Sequence, residues 1–341
     1  MKSLKEYSMN IPESEYHAHP AWNHSKISEY ATKGFSCMAT IRDPKAPSTS
    51  MEFGSLFDSI VTRGKATMDE YVVSDTVPTP AEKAVLDKLL TMTDVPFYDI
   101  PSSTMEEAIN ACDYQRRWNY KTQLEHISVF SSYYDIKAKG RKIISSQDWN
   151  DALEMYREFR KDEYINSLFG HGEKDGIEYI YQPQFLTKMR LDDLTEADVR
   201  IMFDLLKVDH NNKTVQPVDL KTSAQPAYDF AENFIRFRYD IQASMYSDVL
   251  RDIMDRTDEY KDYIILPYVF VDISRSDKVP VSYAYDQTDP SQVDGLSFKD
   301  YHYKGWKALL AEMIHYEEEN AVVPSYIKTG EPNDMIKVLS R

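Results

Sequence analysis

The chain has 341 residues, 42% of them hydrophobic and 13% aromatic, which is enough for a substantial buried core and excludes a disordered chain. Lys and Arg number 40 against 56 Asp and Glu, a net charge of −16. That balance excludes a general basic coat for nucleic acid but not a local basic groove, since charges act over about 8 Å in physiological salt. The only cysteines, Cys37 and Cys112, exclude a disulfide framework and a four-thiolate zinc or iron–sulfur centre.

Met1 to Tyr16 carries no apolar segment and no run reaches membrane-spanning length, so a cytoplasmic protein without membrane association is expected. Residues 1–23 read as irregular, and a short capped helix follows to about Thr32. The Asn23-His24-Ser25 sequon then has no weight in an intracellular chain. Cys37 to Thr49, with Pro44 and Pro47, reads as a loop. Met51–Thr62 is predicted helical, with Phe53, Leu56, Phe57 and Ile60 on one face; Gly54 and Asp58 fall one turn apart on another side. Pro78–Met92, Met105–Trp118, Tyr120–Tyr134 and Trp149–Phe169 read as further helices without chemical signal.

Ile177–Met189 reads as a strand, and Arg190–Asp198 as a polar connector. Residues 201–222 then form two strands about a polar turn, His210-Asn211-Asn212-Lys213, which predicts a β-hairpin. Side chains alternate along strands, so Asp204 joins Met202, Leu206 and Val208 on one face, and Asp219 and Lys221 point the same way. Two carboxylates beside a lysine can hold a hard divalent cation and a water for attack on phosphorus. A plain Lys221–Asp ion pair is the alternative for that pattern alone. Ala227–Met254 gives the longest helical pattern, with an apolar stripe through Phe230, Phe234, Phe237 and Ile241; Arg238, Gln242 and Tyr246 recur every four residues along one edge. Strands near Tyr263–Ile273 and Val279–Tyr285, a helix over Phe298–Glu318, the acidic run Glu317-Glu318-Glu319 and a Pro-containing tail complete the chain.

The order Gly54-x-x-x-Asp58, Asp204, Asp219-x-Lys221 and Gln242-x-x-x-Tyr246, on helix, strand, strand and helix, resembles the PD-(D/E)XK nuclease superfamily. Within it, the pattern is similar to the RecB-type and phage recombination exonucleases (exonuclease VIII-like, lambda-exonuclease-like). The resemblance implies an α/β (α+β) fold: a mixed central sheet flanked by helices, with a mainly helical part over 1–170 supplying the first motif and a nuclease core over 171–341. It implies metal-dependent hydrolysis of DNA phosphodiesters, with Asp204, Asp219, Lys221, Gln242 and Tyr246 catalytic. Asp58, Asp204, Asp219 and the Leu220 carbonyl would hold Mg²⁺ or Mn²⁺, and Gly54, Arg238, Gln242 and Tyr246 would meet DNA. The branch further implies exonuclease action on duplex ends, a single-strand annealing partner and a ring-like homo-oligomer.

Two departures stand out. Asp58 replaces the His of many relatives, which bears on metal preference because a carboxylate oxygen suits Mg²⁺ at least as well as imidazole. Met202-Phe203 also precede Asp204, where the Pro that names the superfamily is expected. Relatives bearing an iron–sulfur cluster need four cysteines, and helicase-attached ones need a P-loop; neither occurs here. The alternative from another class is a non-catalytic acidic DNA mimic or recombination scaffold, motivated by the −16 charge.

Overall fold

A computed structural model of the chain describes residues 2–43, 48–289 and 294–318. Glu319 and the Pro-containing tail lie outside the described residues. The chain divides into two compact units, Met51–Tyr156 and a second that joins Met1–Ser50 to Arg157–Arg341.

The Met51–Tyr156 unit is mainly helical. Its helix Pro80–Met92 starts from a capping box between Thr79 and Glu82, with Pro80 at the first position, where its missing N–H costs nothing. This helix buries Val85, Leu86 and Leu89 against Met105, Ala108 and Ile109 of Ser102–Ala111, and against Tyr134. The pattern Met105–Trp118 stops early, at Ala111, because Asp113 and Gln115 take left-handed conformations that no helix continues through. Tyr120–Tyr134 likewise divides into Tyr120–Ser128 and Ser131–Ala138. Two three-residue strands, β1 (Tyr71–Val73) and β2 (Lys142–Ile144), pair in parallel. Strands this short leave no alternation for sequence reading to detect.

The other unit holds a mixed sheet. Its strands are β3 (Gly172–Lys174), β4 (Ile177–Tyr181), β7 (Leu205–Asp209), β8 (Thr214–Ser223), β9 (Ile264–Ile265), β10 (Tyr268–Ser274) and β11 (Pro280–Tyr285). They lie in the order β11-β10-β8-β7-β4-β3, with β9 beside β8. β8 and β10 run parallel, and the helices Phe230–Arg236 and Tyr239–Asp255 supply the crossover that a parallel pair requires. The hairpin expected over 201–222 is present, with Leu205 opposite Val218 and Asp209 opposite Thr214.

Its first strand begins later than expected. Gln184–Arg190 (β5) and Glu196–Met202 (β6) form a separate two-stranded sheet, so the single strand read over 177–189 is two, and the connector 190–198 is partly strand. Both chains change sheet at one corner. There Gln182 takes φ 50°, Pro183 has no N–H to give, and Phe203 N donates to Pro183 O at 3.2 Å. The helix His24–Lys33 packs on Tyr239–Asp255 and on Trp306–Glu318. Phe203, Leu206, Val208, Val215, Ile241, Met245, Val249 and Phe270 form part of the shared core. A small hairpin of β12 (Gly295–Phe298) and β13 (Tyr301–Lys304) precedes Trp306, where a continuous helix from Phe298 was expected. No described helix is long and apolar enough to cross a membrane.

Candidate active site

The site begins at the corner. β7 stops pairing at Leu205, so the edge of β8 beyond Val218 has no ladder partner on that side. Asp204, at the bend, takes the place of one: its Oδ2 accepts from Leu220 N at 2.7 Å. In a strand the N–H and C=O of a residue leave the same edge. The Leu220 carbonyl therefore emerges on the side where the Asp204 carboxylate lies.

One residue to either side, Asp219 and Lys221 point to the opposite face from Leu220. Lys221 Nζ lies 2.7 Å from Asp219 Oδ2, with the Asp219 side chain only 3% exposed. Gln242, on the Tyr239–Asp255 helix, closes a triangle: its Nε2 donates to Asp219 Oδ1, and its Oε1 accepts from Lys221 Nζ at 3.0 Å. The amide orientation is set by charge, because a flipped Gln242 would put oxygen on the carboxylate and NH₂ on the ammonium. Burial acts to lower the pKa of Lys221, but Asp219, Tyr239 and Asp204 outweigh it and hold the group above its usual range. Lys221 is thus a fixed cation at neutral pH and not a general base. One turn along the helix, buried Tyr246 meets Nδ1 of His24 at 2.8 Å. Burial, then Lys221 and Arg200, push the His24 pKa down to about 3, so the imidazole is neutral at physiological pH.

The structure therefore brings together Asp204, Asp219, Leu220, Lys221, Gln242 and Tyr246. Asp58 and Gly54 stand on Thr49–Arg63 in the Met51–Tyr156 unit, both half-buried, on a helix that buries Phe53, Leu56, Phe57 and Ile60 as its periodicity predicts. Arg238 departs from its expected place beside Gln242 and Tyr246 on one DNA-facing helix edge. It is buried and ends one helix and starts the next at φ 55°. Its guanidinium is committed internally, with Nε and Nη2 each 2.9 Å from the Asp240 carboxylate and Nη2 also donating to Lys304 O at 2.7 Å.

Sequence reading missed three neighbours. His24 lies 222 residues from Tyr246, at the start of the short capped helix, and nothing local marks it. Tyr239 carries Lys221 Nζ 4.8 Å from its ring centre. Asp272 pairs in register with Lys221 on β10 and is 1% exposed. An acid two residues beyond Phe270 on the same strand face was the available signal. Its Oδ2 accepts from Ser223 Oγ at 3.2 Å, yet burial outweighs that bond and the pull of Lys221, raising its pKa to about 6. A folded-state pKa above the unfolded value makes the native state the tighter proton binder. The associated stability is present below about pH 4 and lost as pH rises through 6, at a cost on the order of 3 kcal/mol. Asp272→Asn is expected to flatten the melting profile between pH 4 and 7 and to raise the melting temperature at pH 8. An unchanged profile by calorimetry would count against a buried ionisable Asp272.

The donor set fits a hard divalent cation. Two carboxylates and a backbone carbonyl are oxygen ligands of the kind Mg²⁺ accepts, and Mg²⁺ ordinarily completes its shell with water and substrate phosphate. No trio of His, Cys, Asp or Glu among the described residues forms a ready-made metal cage. No curated protein shows significant similarity to the chain. Residues 34–278 match a family described as a PDDEXK-like domain of unknown function (DUF3799). That span contains every expected site residue, leaves His24 outside it, and agrees with the mixed sheet flanked by helices. With most of its length matched, the chain belongs to this PDDEXK-like family and carries a nuclease-type domain.

Proposed function

We propose that the protein is a Mg²⁺-dependent (or Mn²⁺-dependent) deoxyribonuclease that hydrolyses phosphodiester bonds, acting as an exonuclease on DNA ends. The observation that carries this reading is the Asp219–Lys221–Gln242 triangle beside Asp204 and the Leu220 edge. A structural ion pair needs neither a second carboxylate at the strand end nor an amide bridging both charges. Asp204, Asp219 and the Leu220 carbonyl would hold the cation, and the resemblance adds Asp58 as a further carboxylate. The bound ion supplies Lewis acidity at the phosphate and a more acidic water.

Lys221 stays protonated and presents a fixed positive charge where the phosphorane oxygens gain negative charge. Gln242 keeps Lys221 and Asp219 in register, so neither has to reorganise during reaction. Tyr246, braced by neutral His24, lines the site with a hydroxyl whose pKa is raised by burial, then by Tyr16, Asp219 and Asp204; it acts as a hydrogen-bond donor, not a base. A phage-type recombination role, a single-strand annealing partner and a ring-like homo-oligomer rest on the resemblance alone. The test is a gel assay of linear and circular duplex DNA with Mg²⁺ or EDTA. Linear DNA should be degraded only with Mg²⁺, and circular DNA spared. Persistence of both substrates would favour a non-catalytic protein, and loss of both an endonuclease.

A further inference from the structure

The periodicity Phe230, Phe234, Phe237, Ile241 places Phe237 on the buried stripe of one continuous helix, and the structure places it outside. Phe230 and Ile241 are buried, whereas Phe237 is 45% exposed. The cause is the left-handed Arg238, which divides the helix into Phe230–Arg236 and Tyr239–Asp255. A non-glycine residue in that conformation costs energy that an unbroken helix would not, and persists only where its surroundings over-determine it. Here Asp240 grips the Arg238 guanidinium through both oxygens, and Lys304 O accepts a third bond.

The turned-out ring is tied to the site. Tyr239 touches both partners, with its ring 5.8 Å from that of Phe237 and 4.8 Å from Lys221 Nζ. The exposed Arg236 guanidinium sits 5.2 Å from the Phe237 ring centre. A lone exposed Phe has no special meaning. A Phe turned out at a left-handed residue whose guanidinium is held bidentately, close to an arginine and to the aromatic neighbour of Lys221, matches what an unpaired base and its phosphates require.

We propose that Phe237, flanked by Arg236, is a stacking platform for an unpaired nucleobase of the DNA strand whose phosphate lies at Lys221. The inference rests on the nuclease reading and narrows its substrate to strands whose terminal bases are single-stranded or splayed from the duplex. Phosphate contact alone is blind to pairing, whereas stacking on Phe237 needs a base freed from its partner.

The test uses the full chain with Ca²⁺ in place of Mg²⁺, and oligonucleotides carrying 2-aminopurine near one end, in blunt, splayed and single-stranded forms. Wild type should quench the probe and bind splayed or single-stranded DNA more tightly than blunt duplex. Phe237→Ala and Phe237→Leu should each lose about tenfold in affinity for the unpaired forms, the size of one base–aromatic stack, and the quenching with it. Phe237→Tyr should retain both. Leu keeps the apolar contact with Tyr239, so an effect shared by Ala and Leu is not a folding defect. If Phe237→Leu binds and quenches like wild type while the protein still degrades linear DNA with Mg²⁺, the platform is overturned and the nuclease reading survives. If wild type binds no DNA in any form and degrades none, both fall. A dimer in solution that Phe237→Ala dissolves would also overturn the platform, because the ring would then cover a second copy.

Discussion

Lys221→Met should reduce DNA cleavage by at least ~100-fold, as loss of a core transition-state group does. It should also lower stability, because Asp219 would remain a buried carboxylate without its cation, a change that costs about 3–5 kcal/mol in other proteins. The two effects can be separated. Asp219→Asn alone removes the more deeply buried charge and leaves Lys221, the more exposed of the pair, still bonded to Gln242, so it should be the milder change for folding and equally severe for cleavage. The double variant Asp219→Asn/Lys221→Met should recover most of the stability lost in Lys221→Met and none of the activity. Thermal melting read beside single-turnover cleavage decides the matter. A Lys221→Met protein that melts like wild type and cleaves at more than a tenth of its rate would reduce the triangle to an ordinary ion pair. Asp204→Ala belongs to the same series, and it should cost a similar factor in rate while freeing the Leu220 N–H.

Mg²⁺ should raise the melting temperature of the wild type by several degrees. On the proposed reading the ion would bind carboxylates brought to one site only in the folded chain, and a ligand at a hundred times its dissociation constant adds ~2.7 kcal/mol. The shift should vanish in the Asp204→Asn/Asp219→Asn double variant, and Ca²⁺ or Mn²⁺ in place of Mg²⁺ should give part of it in the wild type. Asp58→Ala tests an assignment that rests on motif order. A weaker Mg²⁺ shift together with slower cleavage would make Asp58 a ligand, and a wild-type shift with wild-type cleavage would leave it a solvated helix acid. Asp58→His should keep some activity and lean toward Mn²⁺, since imidazole suits transition metals better than Mg²⁺. A melting curve indifferent to Mg²⁺ in the wild type would mean that the two carboxylates do not bind the ion in the absence of DNA.

Local sequence determined the parts of this protein whose cause is local. The hairpin followed from a polar turn between alternating strands, and the shared face of Asp219 and Lys221 from their spacing of two. Phe53, Leu56, Phe57 and Ile60 were legible as a buried face from spacings of three and four. Motif order singled out Gln242, and the structure puts its amide 3.0 Å from Lys221. Tertiary structure decided the rest. Asp204 was expected within a strand, but Pro183 and the Phe203 bend turn that strand from one sheet to another and leave the acid at the corner, bonded to Leu220. Arg238 shares the helix spacing of Gln242 and Tyr246; a carboxylate two residues away and a carbonyl 66 residues away committed it internally, and Phe237 turned outward. His24 and Asp272 reach the site through the packing of a distant helix and the register of a parallel neighbour strand. His24 leaves no trace in a window of sequence and Asp272 only an acid on a strand face, because the free energy that places them comes from contacts between segments that are far apart in the chain.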